Sequence, residues 1–232
     1  MNAPRNPLQP PLLCLVTDRL GLADVLGVPR ADVSRHLLDQ VGLAIDAGVD
    51  LVHVRERDLD GGALARLVAE VVERARGTRT RVVVNDRLDV AIAARADGVH
   101  LRGDSVATER VRPAAPPGFL IGRSVRSADD ARRQAEAGAD YLVLGTMFPT
   151  PSKPGDPTLV GVGELRRAVQ VSRVPVLGIG GISGDRVRDV AATGAAGFAG
   201  IRLFWGPPLD DVAVREAVAR WRRAFDLIRP IT

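Results

Sequence analysis

The sequence predicts a single α/β domain built as a parallel, eight-stranded (β/α)8 barrel. Eight short runs of Val, Leu and Ile alternate along the chain with amphipathic stretches rich in Ala and Arg, a pattern typical of strand–helix units. The 232 residues are close to the length of a minimal barrel. Hydrophobic residues make up 46% of the chain and aromatic residues only 3%, which predicts an aliphatic core suited to a buried parallel sheet.

The apolar runs are the predicted strands. They are continuous rather than alternating, as expected for strands that are covered on both faces. An open doubly wound sheet is the alternative, but no Gly-x-Gly-x-x-Gly follows the first strand. The predicted strands are Leu12–Val16, Asp50–Val54, Arg81–Val84, Gly98–Leu101, Phe119–Gly122, Tyr141–Gly145, Pro175–Ile179 and Gly197–Ile201.

Amphipathic stretches between the runs are the predicted helices. Several end in a small residue followed by Gly, the usual helix cap, and an acid then opens the next strand, as in Ala47–Asp50 and Ala137–Asp140. The looser match Thr193–Ala195 extends this weak repeat. The predicted helices are Val33–Ala47, Ala63–Ala75, Ala128–Ala137, Val162–Val171, Asp185–Ala192 and Leu209–Ile228.

Composition argues against several classes of protein. Residues 1–10, rich in Pro and Asn, are predicted to be a disordered lead-in to a barrel domain over residues 11–232. The lead-in lacks the apolar block of a signal peptide, and no apolar run is long enough to span a membrane. Cys14 is the only cysteine, so we expect a reducing, cytoplasmic location. The net charge of +4 is spread over helices, and few aromatics are present for base stacking, which argues against nucleic-acid binding.

Functional groups in such barrels come from the carboxyl ends of the strands. The second strand runs into His53, Arg55 and Arg57, which alternation places on one side. Two guanidinium groups at a barrel mouth form a cationic floor suited to a diphosphate. The alternative is that these arginines form ion pairs with Glu56 or Asp58.

Oxygen-bearing side chains follow the next three strands. Asn85 and Asp86 follow the third strand and Asp104 follows the fourth. Such groups can bind Mg²⁺, or they can cap the helices that come next. Ser124, after the fifth predicted strand, is a candidate hydroxyl for the site.

A long Pro-rich loop over residues 145–155 follows the sixth strand and is the most unusual segment of the chain. It contains the hydroxyl residues Thr150 and Ser152 and also Lys153, the one Lys among 32 basic residues. A compact ammonium on a flexible stem can follow a departing phosphate, which a planar guanidinium does less well. We therefore favour a functional role for Lys153 over chance placement.

The loops after the seventh and eighth strands contain Gly180, Gly181 and Arg202. In barrels of this kind these two loops commonly bind phosphate through backbone N–H groups. Tight packing between strand and helix is the alternative explanation for the glycines.

Taken together and in this order, these motifs resemble the thiamine phosphate synthase / thiazole tautomerase family. The resemblance runs from about Leu12 to Phe204 and implies a TIM barrel that acts in thiamine biosynthesis. The motifs that carry it are Val54–Glu56, Val84–Arg87, Asp97–Leu101, Phe148–Pro154 and Gly178–Ile182.

The resemblance also implies a reaction and residue roles. In the synthase, hydroxymethylpyrimidine diphosphate loses pyrophosphate, and the ring nitrogen of a thiazole phosphate captures the resulting cation. The partners would therefore be phosphorylated small molecules, and a homo-oligomer is possible. The roles implied are diphosphate binding for Arg55, Arg57, Asn85 and Lys153, Mg²⁺ binding for Asp86, thiazole binding for Thr150, Ser152 and Gly181, and pyrimidine contact for Ser124.

Four positions depart from the synthase pattern. His53 stands where Gln is usual, and Arg57 stands where Lys is usual. The second Mg²⁺ acid falls at Ser105, with Asp104 one place away. Arg202 replaces a small Ser and would either bind the thiazole phosphate or fill its pocket.

Two alternative functions stay open at this point. The tautomerase branch matches His53 and the pattern over residues 122–127, but its catalytic His would fall at Arg126, which is not a base at neutral pH. His53 would then have to act as acid and base. Ser105 stands in place of the second Mg²⁺ acid, and Arg126 stands in place of the tautomerase His. These two replacements also motivate a third hypothesis, a non-catalytic barrel that binds thiamine phosphates. We expect synthase activity first.

Overall fold

The computed structural model describes residues 8–150, 159–205 and 210–227. Eight parallel strands pair in sequence order, and β8 closes on β1 to complete a barrel. The predicted fold class is therefore confirmed. The strands are β1 (Leu12–Val16), β2 (Leu51–Val54), β3 (Arg81–Asn85), β4 (Gly98–Leu101), β5 (Leu120–Val125), β6 (Tyr141–Gly145), β7 (Val176–Ile179) and β8 (Gly197–Gly200).

Helices surround the barrel and cover its outer face. Short 3-10 helices over residues 112–114, 184–186 and 202–204 complete the connections. Within the described ranges, no helix has both the length and the apolar character needed to cross a membrane. The α-helices are α1 (Arg19–Leu26), α2 (Val33–Asp46), α3 (Gly61–Ala75), α4 (Leu88–Ala93), α5 (Thr108–Val111), α6 (Ala128–Glu136), α7 (Gly161–Val171), α8 (Val187–Ala191) and α9 (Asp211–Asp226).

Two apolar layers stabilise this arrangement. The larger lies between the outer face of the strands and the helices, and it includes Leu13, Val52 and Val84. The smaller fills the inside of the barrel, because every second residue of each strand points inward. Its buried members are Leu12, Cys14, Val16, Leu51, Val83, Tyr141, Val143, Leu177 and Ala199.

The ends of most predicted strands and helices lie within two residues of the observed ends. The exceptions are three short helices and one strand that contains polar residues. The sequence analysis missed α1, α4 and α5, which are too short to show a clear helical period. It also ended the fifth strand at Gly122, whereas β5 continues to Val125. The predicted strand stopped too early because Arg123 and Ser124 are polar, yet both find hydrogen-bond partners in the barrel. The lead-in over residues 1–10 stays a prediction, since residues 1–7 lie outside the described ranges.

A repeated carboxylate contact joins strands in pairs at the amino-terminal end of the barrel. Asp50, just before β2, accepts a hydrogen bond from Leu13 N of β1 at 2.8 Å. Asp97, just before β4, accepts one from Val82 N of β3 at 2.8 Å. The acids of the weak sequence repeat therefore satisfy backbone donors of the preceding strand. The third pair is Asp140 and Ile121 N, at 2.6 Å.

Each of these carboxylates also has an arginine partner. Asp50 contacts Arg222 of α9 at 2.7 Å and Arg79 at 3.3 Å. Asp140 contacts Arg112 at 2.6 Å. The Asp50 pair connects the last helix to the start of the barrel, so it should contribute to the stability of the whole fold.

Replacing Asp50 tests this contribution. Asp50→Ala would leave a buried backbone N–H of Leu13 without its acceptor and Arg222 without its carboxylate. We expect the free energy of unfolding to fall by about 2–4 kcal/mol in urea denaturation. The control Glu136→Ala removes an exposed ion pair with Arg132 on α6, and it should change stability by less than about 0.5 kcal/mol. Equal effects of the two variants would contradict the prediction.

Candidate active site

A cavity of about 250 Å³ opens at the carboxyl ends of β2, β3 and β4. Both arginine and carboxylate side chains line it, together with an apolar wall. This is the end of the barrel at which the sequence predicted a site. The lining residues are Val54, Glu56, Arg57, Leu59, Leu64, Asn85, Asp86, Arg87 and Arg102.

Arg55 and Arg57 bring positive charge to this end of the barrel. Asp58 forms its ion pair with Arg19 instead, and Glu56 accepts hydrogen bonds from Arg19 N at 3.0 and 3.2 Å. Within the part of the chain that the structure describes, neither Arg55 nor Arg57 forms a salt bridge. The ion pairs considered as an alternative in the sequence analysis are therefore not formed by the described residues.

Burial and neighbouring charge both act on Arg55. Its backbone N–H donates to Thr17 Oγ1 at 2.9 Å, which fixes the start of the loop after β2. Burial lowers the pKa of the Arg55 guanidinium, and the nearby positive charge of Arg57 lowers it further. The Asp18 and Glu56 carboxylates oppose this lowering. Two positive charges held close together without a salt bridge among the described residues favour an anionic ligand.

Glu56 lines the same cavity but is buried. Burial raises the pKa of its carboxyl to about 7, although hydrogen bonds from Thr17 and Arg19 act in the opposite direction. Near neutral pH this group is therefore only partly ionised. It neutralises little of the positive charge that Arg55 and Arg57 bring.

Asp86 and Asp104, the predicted Mg²⁺ ligands, both contact Arg102. Asp86 accepts a hydrogen bond from Ser105 Oγ and lies 3.5 Å from Arg102 Nε. Asp104 forms an ion pair with the same guanidinium and is exposed. Within the described ranges, no group of three or more His, Cys, Asp and Glu side chains could hold a metal ion.

These contacts do not fit a Mg²⁺ ion held between the two carboxylates. Mg²⁺ requires oxygen ligands at about 2.0–2.1 Å in octahedral geometry, and here a guanidinium contacts both carboxylates instead. Arg102 would have to leave for the ion to enter. Metal binding at Asp86 and Asp104 therefore stays a prediction, and a Mg²⁺ titration tests it.

A second arginine fixes the loop that carries Arg102. Arg123 points outward from β5 and is buried. Its guanidinium donates to Val106 O at 2.7 Å, Gly103 O at 3.2 Å and Ser105 O at 3.4 Å. The loop after β4 is thus held by three carbonyl contacts, so the site side chains on it start from a defined backbone.

Inward-pointing polar groups form a buried chain inside the barrel. His100 Nε2 lies 2.9 Å from Ser124 Oγ, and His100 Nδ1 lies 3.1 Å from Tyr141 Oη. The His53 ring is centred 4.6 Å from the His100 ring. Ser124, the predicted pyrimidine contact, is therefore positioned by His100.

Both histidines are held neutral. Burial lowers the pKa of His100 to about 4. Burial also lowers the pKa of His53 well below its usual value, and the neighbouring His100 and Arg55 add to this effect, whereas a hydrogen bond with Asn85 opposes it. Among the described residues, His53 Nε2 is buried without a hydrogen-bond partner.

The loops after β6 and β7 pack directly on each other. Met147 N donates to Ile179 O at 2.9 Å, and Phe148 N donates to Gly180 O at 3.0 Å. Gly181 has a φ of 63°, and a Cβ there would lie 2.4 Å from Phe148 O. Close packing therefore explains the glycines, and phosphate binding at Gly180 and Gly181 stays a prediction.

Four further predicted residues belong to the loop after β6 and the segment after β8. Thr150 is half-buried at the end of a described range. Ser152 and Lys153 lie outside the described residues, so their predicted roles are untested. Arg202 is exposed, and its guanidinium lies 5.9 Å from the centre of the Trp205 ring. Its role, either binding the thiazole phosphate or filling the pocket for it, stays a prediction.

Comparison with known proteins identifies the family. A profile of the thiamine monophosphate synthase family matches residues 25–204. The chain belongs to this family. It is 34% identical over 206 residues to a thiamine-phosphate synthase of Roseiflexus sp., covering 89% of this chain and 87% of that protein. A thiamine-phosphate synthase of Methanoculleus marisnigri is 40% identical over 168 residues, covering 72% of this chain and 80% of that protein.

A solved structure also resembles this member of the thiamine monophosphate synthase family over nearly its whole length. The thiamine phosphate pyrophosphorylase from Pyrococcus furiosus superposes with a TM-score of 0.77 at 29% sequence identity. The match covers 94% of this chain and 97% of that chain. The family resemblance inferred from the motifs is therefore confirmed.

The sequence analysis missed three residues that shape this family member's site. Arg102, Arg123 and Thr17 each make contacts that position a predicted site residue or its loop. Arg102 and Arg123 were hidden among 31 arginines in the sequence. Only the proximity of β3, β4 and β5 reveals that Arg102 lines the cavity and that Arg123 holds the loop beside it.

The neutral state of His100 predicts a pH dependence of stability. Its pKa is about 4 in the folded chain against an ordinary 6.5, so the unfolded chain takes up this proton first as the pH falls. The stability that depends on neutral His100 is therefore present above about pH 6.5 and is lost towards pH 4. We expect the free-energy difference between wild type and His100→Gln to be about 2 kcal/mol smaller at pH 5 than at pH 7.

Urea denaturation of both proteins at the two pH values measures this effect. The difference between the proteins is the useful quantity, because Glu56 acts in the opposite direction. With a pKa of about 7, Glu56 makes the fold more stable as the pH falls from 7 towards 4.5. An unchanged difference between pH 5 and pH 7 would show that His100 is not held neutral.

Proposed function

We propose that this protein is a thiamine-phosphate synthase. It would join hydroxymethylpyrimidine diphosphate to thiazole phosphate and release pyrophosphate. The observation that carries the proposal is the pair Arg55 and Arg57, which follow β2 at the mouth of the barrel and form no salt bridge among the described residues. Membership of the thiamine monophosphate synthase family and the names of its relatives support it.

Diphosphate departure is the step that these residues would assist. As the bond to the pyrimidine methylene breaks, negative charge accumulates on the leaving pyrophosphate. Arg55 and Arg57 would stabilise that charge, and Asn85 would donate a hydrogen bond to it. Lys153, from the loop after β6, would follow the leaving group. The chemistry needs charge stabilisation rather than a strong base, which agrees with two histidines that are held neutral.

The two ring substrates would occupy different sides of the site. Ser124 Oγ, held by His100, would contact the pyrimidine. The loops after β6, β7 and β8 would bind the thiazole phosphate. The residues proposed for that side are Thr150, Ser152, Gly180, Gly181 and Arg202.

Mg²⁺ is the cofactor that the family resemblance implies. When bound, it would add positive charge next to the leaving diphosphate. Because Arg102 contacts both predicted ligand carboxylates, the charge stabilisation in this proposal comes from the arginines. Phosphorylated small molecules are the proposed partners. A cytoplasmic location and a homo-oligomer stay predictions.

A thiochrome fluorescence assay tests the activity directly. The purified protein would be incubated with hydroxymethylpyrimidine diphosphate and thiazole phosphate, with Mg²⁺ or with EDTA. Formation of thiamine phosphate and pyrophosphate in equal amounts supports the proposal. Folded protein that binds the substrates but forms no product would contradict it and favour the non-catalytic barrel. Tautomerisation of a thiazole phosphate in EDTA, with no joining of the thiazole to the pyrimidine, would instead support the tautomerase.

Two substitutions test the assigned roles. We expect Arg55→Ala and Lys153→Ala each to lower turnover at least tenfold, because each would remove positive charge from the leaving diphosphate. Arg133→Ala is the matched control, since it removes a cation in an exposed ion pair with Asp130 on α6. Turnover by the control should stay within twofold of wild type. Near-wild-type rates for both site variants would refute the assignment.

A further inference from the structure

Arg102 occupies a position between two carboxylates at the edge of the cavity. Its guanidinium contacts Asp86 and Asp104, and its side chain also lines the cavity wall. We propose that Arg102 supplies a built-in positive charge to the diphosphate, in the place where a metal ion would otherwise be held. The identity of the anion as a diphosphate rests on the proposed function.

The charge around the cavity supports an anionic ligand. Arg57, Arg87 and Arg102 line it, against two acids, Glu56 and Asp86. Glu56 is buried and only partly ionised near neutral pH. Arg87 also forms an ion pair with Asp89, and Arg102 forms one with Asp104. The positive charge available to a ligand therefore comes from Arg57 and, once Asp104 is displaced, from Arg102.

Arg102 is positioned by its own backbone before any ligand arrives. The Arg102 N–H donates to Ser105 Oγ at 2.9 Å and to Asp86 Oδ1 at 3.2 Å. Arg123 holds the carbonyls of Gly103 and Ser105 in the same loop. The backbone is thus fixed while the Arg102 side chain stays half-exposed, so the guanidinium can reorient without unfolding the loop.

Arg102 would bind the ligand by exchanging its ion pair with Asp104 for a diphosphate oxygen. Asp104 is largely exposed, with 71% of its side chain accessible, and exposed ion pairs contribute little net free energy. A diphosphate oxygen can replace Asp104 because a guanidinium binds phosphate oxygens in bidentate fashion. Asp86 would remain in contact with Ser105 and orient the arginine.

Calorimetric titration with inorganic pyrophosphate tests the proposal on the intact protein. In EDTA we expect wild type to bind pyrophosphate and Arg102→Ala to bind it at least tenfold more weakly. Adding Mg²⁺ should change the affinity of wild type less than threefold. Inorganic phosphate serves as a second probe, and at least tenfold weaker binding of it would identify a diphosphate site rather than a general anion site.

A double variant tests whether Mg²⁺ can take the place of the Arg102 guanidinium. Arg102→Ala combined with Ser105→Asp removes the guanidinium and adds a carboxylate next to Asp86, where Ser105 Oγ now makes its contact. We expect Mg²⁺ to tighten pyrophosphate binding by this variant at least tenfold. Arg133→Ala, which loses one exposed cation far from the cavity, should bind pyrophosphate as wild type does in both buffers.

Two results would overturn the proposal. One is wild type that binds pyrophosphate only with Mg²⁺, and the other is Arg102→Ala that binds it in EDTA as tightly as wild type. The synthase activity has a separate readout. Pyrophosphate binding that behaves as expected without thiamine phosphate formation supports the role of Arg102 and rejects the synthase. Strictly Mg²⁺-dependent binding together with turnover rejects the role of Arg102 and supports the synthase.

Discussion

Alternation along eight closed strands is the constraint on which this structure depends. Every second residue of each strand points into one shared interior, so a side chain's position along the strand decides its depth beneath the mouth. On β2, Leu51 and His53 lie inside, and Arg55 follows at the rim. The same rule places His100 and Ser124 inside the barrel. Apolar side chains, neutral polar groups and then arginines therefore follow one another from the interior to the opening.

The charge of the side chains differs between the barrel interior and its rim. Inside, His53 and His100 are buried and neutral, so they orient their neighbours without adding charge. At the rim, Arg55 and Arg57 form no salt bridge among the described residues. A phosphorylated substrate would meet the cations first, while its uncharged ring would lie over hydroxyl and imidazole groups. This separation matches the proposed reaction, in which negative charge leaves on the pyrophosphate and a pyrimidine cation remains.

The fold could be predicted from sequence because its signal is repeated. Eight apolar runs and their spacing defined the strands, and His53 and Arg55 were correctly placed at the carboxyl end of β2. Contacts between loops could not be predicted, because they depend on proximity across strands rather than on local pattern. Arg102 contacts Asp86 across β3 and β4. The structural role of Gly181 depends on a carbonyl of Phe148 in another loop.

The carboxylate contacts at the opposite end of the barrel show a construction in units of two strands. Asp50, Asp97 and Asp140 each join an even strand to the odd strand before it. The last pair departs from this rule, because Ala196 stands before β8 and brings no carboxylate. Its carbonyl accepts from Leu12 N of β1, as the Asp50 and Asp97 carbonyls accept from the strands that follow them. Three of the four strand pairs therefore share a side-chain contact that Ala196 cannot supply. A circular permutant opened between pairs would keep both partners of each contact in one continuous segment, whereas one opened within a pair would move the two partners to opposite ends of the chain.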